Sequence, residues 1–176
     1  MRSRPILYSI LISALILSFS VFYTNPGKYH LPFDIKYHTL SKSMQKQVDC
    51  LTENILFEAG KESKQGQVAV ALVTLNRVAS GNYANDVCGV VHQKTNGVCQ
   101  FSWVCQKGLR NLPQDIDARN WQQWKDSVLA AEMVLNHGII DFTHGALKFF
   151  AHWQVNPIWA KLKDVTVVIG NHTFVK

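Results

Sequence analysis

From Val68 to Leu75 the chain reads VAVALVTL, with Thr74 as the single polar residue. The run lies inside a helical pattern from Lys64 to Val78. Val68, Leu72, Leu75 and Val78 form one stripe, and Ala69, Val70, Ala71 and Val73 make the other faces apolar too. A helix that is apolar on most sides lies at the centre of a domain, because no face is left for water. The preceding segment supplies a first partner. Val48, Leu51, Ile55 and Ala59 recur at steps of three and four, one face of a helix with Ser41 or Ser43 as N-cap and Gly60 as its stop. Glu58 falls three residues after Ile55, at the edge of that face. A carboxyl group held against an apolar helix pair keeps its proton toward neutral pH. The stretch Leu51–Arg77 therefore joins a central helix to a candidate acid. A plain surface position is the competing reading of Glu58.

The remaining patterns are shorter. Asn76 and Arg77 are polar residues near the end of the central helix, suited to capping and to pairing with a carboxylate. Val87–Val91 reads as a short strand or helical turn. Residues 99–104 alternate as a strand beside a groove does, and 107–117 read as loop. A helix follows over Ala118–Asn136, with Trp121, Trp124, Val128, Ala131 and Leu135 on one face; the two tryptophans are assigned to core packing. The tail reads as strands at Ala146–Phe150, Val165–Ile169 and His172–Val175, with a helical turn at Ile158–Leu162. This is an α+β fold, mainly helical with a few short strands, in one domain over 43–176.

Before that domain, Arg2 and Arg4 precede an uncharged run from Pro5 to Tyr23. A positive flank and an apolar stretch form an export signal. No small-x-small cleavage site precedes Thr24, and roughly 18 apolar residues are just long enough to span a bilayer. Residues 1–24 are therefore expected to be a transmembrane signal anchor, with a cleaved signal peptide as the alternative. Residues 25–42, holding Asn25, Pro26, Gly27 and Pro32, form a linker, and everything beyond Tyr23 faces outward.

The four cysteines, Cys50, Cys88, Cys99 and Cys105, all follow that segment. In an oxidising compartment they form two disulfides. Three pairings are open; Cys50–Cys88 with Cys99–Cys105 is preferred because the second closes a short local loop. No C-x-x-C or H-x-x-x-H spacing marks a zinc site, so no metal or cofactor is expected. Lys and Arg number 18 against 12 Asp and Glu, a net charge of +6. That suits an envelope polymer or a membrane surface rather than nucleic acid, for which neither dense basic clusters nor a base-reading motif is present.

Several ordered segments carry a family resemblance. They are Glu58-Ala59-Gly60-Lys61-Glu62, then Gly66-Gln67-Val68-Ala69-Val70-Ala71 and Leu75-Asn76-Arg77, then Cys88-Gly89-Val90-Val91 and Cys99-Gln100-Phe101-Ser102. Val155-x-Pro157-x-Trp159-Ala160 and Ile169-Gly170-x-His172-x-Phe174 close the series. Together they make residues 50–176 resemble the cell wall hydrolase family typified by the spore cortex-lytic enzyme SleB. Two departures stand out. Gly60 precedes the basic Lys61, where the family has the basic residue first. The family's aromatic-His pair appears as Phe149-Phe150-Ala151-His152, so no role passes to His152. The resemblance implies a lysozyme-like, lytic-transglycosylase-like domain that cleaves peptidoglycan glycan strands, with Glu58 as catalytic acid.

Glycosidic cleavage needs an acid on the leaving oxygen, and hydrolysis also needs a second carboxylate. Glu53 lies five residues back on the helix and points away from Glu58; Glu62 lies beyond Gly60 as a possible supporting group or a structural acceptor. A lone Glu favours the lytic transglycosylase route, in which the sugar's own 6-hydroxyl closes a 1,6-anhydro ring, over a muramidase. Gln100, Phe101, Ser102 and Trp103 offer amides and aromatic faces to sugars and are placed along the cleft. Phe149, Phe150, Trp153 and Trp159 are a second wall. The rival functions are an N-acetylmuramoyl-L-alanine amidase, which needs converging metal ligands, and a non-catalytic peptidoglycan-binding protein. A monomer is expected, anchored in the membrane facing periplasm or wall. Release from such an anchor is the arrangement of an exported phage endolysin.

Overall fold

A computed structural model describes residues 37–106, 118–155 and 157–176, with the backbone alone for 118–120. The expected signal anchor and the loop at 107–117 lie outside the described residues. Among the described residues no helix is long and apolar enough to cross a membrane.

The first long helix, α1, runs Lys42–Ala59. Ser41 is its N-cap, its hydroxyl accepting the Met44 N–H at 3.2 Å. At the other end Gly60 stays in helical geometry and its N–H bonds to the Leu56 carbonyl. A Cβ there would collide with that same carbonyl, so only glycine fits. The central helix, α2, runs Lys64–Ser80. Ser63 caps it through the Gly66 N–H, and Gly81 ends it in the left-handed conformation at φ 70°. The short helix α3 spans Val87–His92, capped by Asp86 through the Gly89 N–H at 2.7 Å. This decides between the two readings of that segment in favour of helix.

A hairpin follows, β1 (Lys94–Thr95) against β2 (Val98–Cys99). Asn96 and Gly97 between them both have positive φ, as a two-residue hairpin turn requires. A one-turn helix, α4, covers Ser102–Cys105, and α5 covers Ala118–Asn136. The tail forms an antiparallel sheet from β3 (Lys148–Ala151), β4 (Val165–Ile169) and β5 (His172–Val175), in the order β3-β5-β4 with a bulge in β4 between Val165 and Val167.

Helix α2 is apolar all round because it serves two cores. One joins it to α1, α3, α4 and α5 through Leu51, Ile55, Leu72, Val90, Trp103 and Ala131. The other lies between α2 and the sheet, where Val70 and Val73 meet Ala59, Ala146, Ile169 and Phe174. The expectation of an α+β, mainly helical domain holds. The folded unit also reaches into the expected linker. Tyr37 and Leu40 pack on the first core, and the Gln45 amide donates to both of their carbonyls.

Three local expectations fail for identifiable reasons. Residues 99–104 are not a strand. Six residues of strand would extend about 20 Å, but the Cys99–Cys105 disulfide holds its two Cα atoms 5.9 Å apart, and the chain coils into α4. The helical turn expected at Ile158–Leu162 lies later, as 3-10 helix at Leu162–Asp164. Trp121 is not core. It is 48% exposed and stacks on Trp124 at 5.3 Å, because the buried part of α5 starts only at Ser127. The preferred disulfide pairing is the one formed, and Cys50–Cys88 ties α1 to α3.

Candidate active site

Glu58 stands in the last turn of α1, half-buried, beside the fully packed Ala59. Burial pushes its pKa up to about 7, and the Arg77 charge nearby pulls the other way without cancelling that effect. The C-terminal end of a helix also disfavours a negative charge, adding to the upward push.

Arg77 comes from the last turns of α2 and is 6% exposed. Its Nε donates to the Leu147 carbonyl at 2.8 Å, just ahead of β3. Its guanidinium lies 4.8 Å from the centre of the Phe101 ring and 5.2 Å from that of Tyr83. Nη1 is buried without a hydrogen-bond partner. A cation in this setting is costly to bury, and burial lowers its pKa, while Tyr83 and Glu58 oppose that shift. Arg77 thus joins the helical lobe to the sheet and faces the candidate acid electrostatically.

Asn76, its neighbour, has a purely structural place. Its amide donates to Asp141 at 3.0 Å, to Thr143 at 3.2 Å and to the Ala146 carbonyl at 3.2 Å. Asp141 also accepts from the backbone N–H groups of Thr143 and Gly145. Burial would raise the Asp141 pKa, but these bonds outweigh it and hold the carboxylate ionised.

The other predicted site residues separate into two groups. Glu62 is occupied: Oε1 accepts from the Asn171 side chain at 2.9 Å and Oε2 from the Asn171 N–H at 3.2 Å. Phe101 and Trp103 are inside the protein, at 3% and 5% exposure. Phe101 lies against the Arg77 guanidinium. Trp103 stacks on Phe57 at 4.6 Å and donates from Nε1 to the side-chain Oδ1 of Asn54 at 3.1 Å. Gln100 is half-buried and ties the hairpin together, its amide donating to Thr95 at 3.1 Å. Ser102 is exposed at the start of α4.

On the sheet, Phe149 points inward against Phe101, His172 and Phe174. Phe150 meets the edge of Trp159, and Trp153 is 65% exposed. His152 is exposed and its Nδ1 is 3.3 Å from the Thr173 hydroxyl.

Sequence reading missed Tyr83, Asn54 and His172. Asn54 is fully buried and links Trp103 to the Thr74 hydroxyl, which explains the one polar residue in the VAVALVTL run. A polar residue on the apolar face of α1 was the available signal. His172 is buried edge-on to Phe149, and burial pulls its pKa down. Nothing in the segment GNYAND marks Tyr83. Among the described residues no three His, Cys, Asp or Glu side chains converge as metal ligands.

Comparison with known proteins gives a consistent result. The sequence model of the cell wall hydrolase family matches residues 61–175. Among solved structures, the chain is similar to the catalytic domain of the germination-specific lytic transglycosylase SleB from Bacillus anthracis. Identity is 28%, TM-score 0.56, with 78% of this chain and 98% of that one covered. It is also similar to the catalytic domain of the Bacillus cereus SleB protein, at 26% identity and TM-score 0.52, covering 75% and 91%. No curated protein matches.

Proposed function

The chain belongs to the cell wall hydrolase family, and we propose that it cleaves the glycan strands of peptidoglycan with Glu58 as both general acid and general base. The observation that carries this reading is a half-buried carboxyl group whose pKa is about 7, at the end of a helix and beside a buried arginine. Such a group is protonated often enough to act as an acid and ionises readily enough to act as a base near neutral pH.

The lytic transglycosylase route fits the surroundings better than the muramidase route. Hydrolysis through the two-carboxylate mechanism needs a second free acid. Glu62 is bound to Asn171, Asp141 is bound to Asn76, Thr143 and Gly145, and Glu53, though free among the described residues, lies about 140° round α1 from Glu58. In the one-carboxylate route, Glu58 gives its proton to the oxygen bridging two sugars, and the bond from that oxygen to the anomeric carbon breaks. The Glu58 carboxylate then takes the proton of the 6-hydroxyl of the same sugar. That oxygen bonds to the anomeric carbon and closes a 1,6-anhydro ring. No water is consumed, and Glu58 ends protonated as it began. Arg77 stabilises the carboxylate during the interval when it carries charge.

Export completes the reading: two disulfides suit an oxidising compartment, and the apolar N-terminal run carries the domain across the membrane and holds it there.

The test is digestion of purified sacculi by the wild-type chain and by Glu58→Gln, with products read by mass spectrometry. Anhydro-muramic ends, lost in Glu58→Gln, are the expected result. A gain of one water per cut means hydrolysis, freed stem peptides mean an amidase, and equal activity of the two proteins removes Glu58 from the mechanism.

A further inference from the structure

A cavity of about 390 Å³ is lined by Glu53, His92, Lys94, Trp103 and Val104. Its size falls within the range of small-molecule sites. Glu53 lies one and a half turns before Glu58 on α1, about 140° round the helix and roughly 8 Å along it. The cavity is therefore separate from the acid but near it.

Its walls are chemically mixed. Trp103 and Val104 are almost fully buried, and Trp103 is held rigid by Asn54 and Phe57. One face of the Trp103 ring is covered by Phe57, which leaves a poor platform for a sugar. Glu53 is half-buried, whereas Lys94 and His92 are exposed. His92 Nδ1 lies 3.0 Å from the Cys88 carbonyl and must donate to it, so Nε2 is left for a ligand. Among the described residues the Glu53 and Lys94 side chains make no ion pair or hydrogen bond with each other or with another side chain. One cavity thus carries two opposite charges that do not neutralise each other. Burial raises the Glu53 pKa, His92 opposes that and Asp49 adds to it.

We propose that this cavity binds a zwitterionic amino-acid unit of the peptide that hangs from the strand being cut. The ammonium group sits against Glu53 and the acceptor Nε2 of His92, and the carboxylate against Lys94, with the aliphatic stem on Val104 and the Trp103 edge. A bare polyanion is disfavoured by Glu53. The proposal rests on the glycan-cleavage reading for its substrate. In peptidoglycan, the unit with both charges free on one side chain is diaminopimelate; a lysine at that position lacks the carboxylate.

The test has two arms and uses the full chain. In the first, the free stem tetrapeptide containing diaminopimelate and its lysine counterpart are titrated calorimetrically into wild type, Glu53→Gln and Lys94→Ala. Wild type is expected to bind the diaminopimelate peptide about tenfold more tightly than the lysine peptide, with both variants losing about tenfold in affinity for the former. Equal binding by wild type and variants overturns the proposal, as does equal affinity for the two peptides. In the second arm, intact strands are compared with strands stripped of peptide by an amidase. The variants are expected to lose kcat/KM on intact strands and to keep the wild-type rate on stripped ones. Unchanged ratios overturn the proposal while leaving glycan cleavage in place. If wild type cuts neither substrate, the glycan-cleavage reading fails, and the titration still decides what the cavity binds.

Discussion

Glu62 grips Asn171 with both carboxylate oxygens, joining residues 109 apart in sequence: Oε1 accepts from the side-chain amide and Oε2 from the backbone N–H. The contact pins the β4–β5 turn, where Gly170 has φ 55° and passes so close to Glu62 that a Cβ would collide with the carboxylate. Gly66, in the first turn of α2, is held to glycine by the same side chain. The second glutamate of the Glu58–Glu62 motif therefore serves the sheet.

Replacing Glu62 with alanine is expected to cost stability and leave the chemistry intact. Burial alone would raise the Glu62 pKa, but the Asn171 hydrogen bonds, helped by His172 and His152, hold it below the usual value. A lowered carboxylate pKa contributes stability that is present above the unfolded pKa and lost as pH falls through the folded one. The side chain is partly exposed, so solvent limits the contribution to about 1 kcal/mol. Thermal melts should show the loss at pH 7 and its disappearance in acid, with the pH profile of strand cleavage unmoved.

The rate of cleavage should fall about tenfold per pH unit above pH 7, as Glu58 loses the proton it must donate. Arg77→Gln removes the cation that favours the Glu58 carboxylate, so this limb moves to higher pH, whereas Arg77→Lys moves it less. Both variants disturb the bond to Leu147 and lower stability. The position of the pH limb, measured as kcat/KM, separates the electrostatic role from the structural one.

Glu58→Gln should be inactive and also more stable than wild type at pH 8. The folded Glu58 pKa, about 7, is raised above the ordinary carboxyl value of 4.5. Its stabilising effect is complete below the unfolded pKa and is lost as pH rises toward the folded one. At pH 8 the ionised group costs the folded state about 3 kcal/mol relative to acid conditions, and a glutamine does not carry that cost. Denaturant titrations at pH 4 and pH 8 should show the two proteins converging at the lower pH; a gain of equal size at both would remove ionisation as the cause.

The two disulfides should differ in weight. Closing the loop between Cys50 and Cys88, a sequence separation of 38, is worth about 4 kcal/mol on loop entropy, against about 2 kcal/mol for the separation of 6 between Cys99 and Cys105. The Cys50→Ser/Cys88→Ser pair should lower Tm more than Cys99→Ser/Cys105→Ser, and reduction of the wild type should match the sum.

Sequence alone determined the long helices and marked the candidate acid. The VAVALVTL run requires a central helix because every face must be covered, and the three-and-four spacing of Val48, Leu51, Ile55 and Ala59 orients α1 so that Glu58 falls at the apolar edge. Ser41 and Gly60 act locally, so their roles as limits of α1 were legible as well. Tertiary structure decided which polar residues are free. The alternation at 99–104 reads as a strand until the Cys99–Cys105 bond excludes the extended form. Trp103 reads as a sugar platform until Asn54 and Phe57 enclose it. Glu62 reads as a second acid until Asn171, 109 residues away, occupies both its oxygens. A side chain's periodicity follows from its own neighbours in the chain; its availability and its pKa follow from groups that only the folded packing brings within a few ångströms.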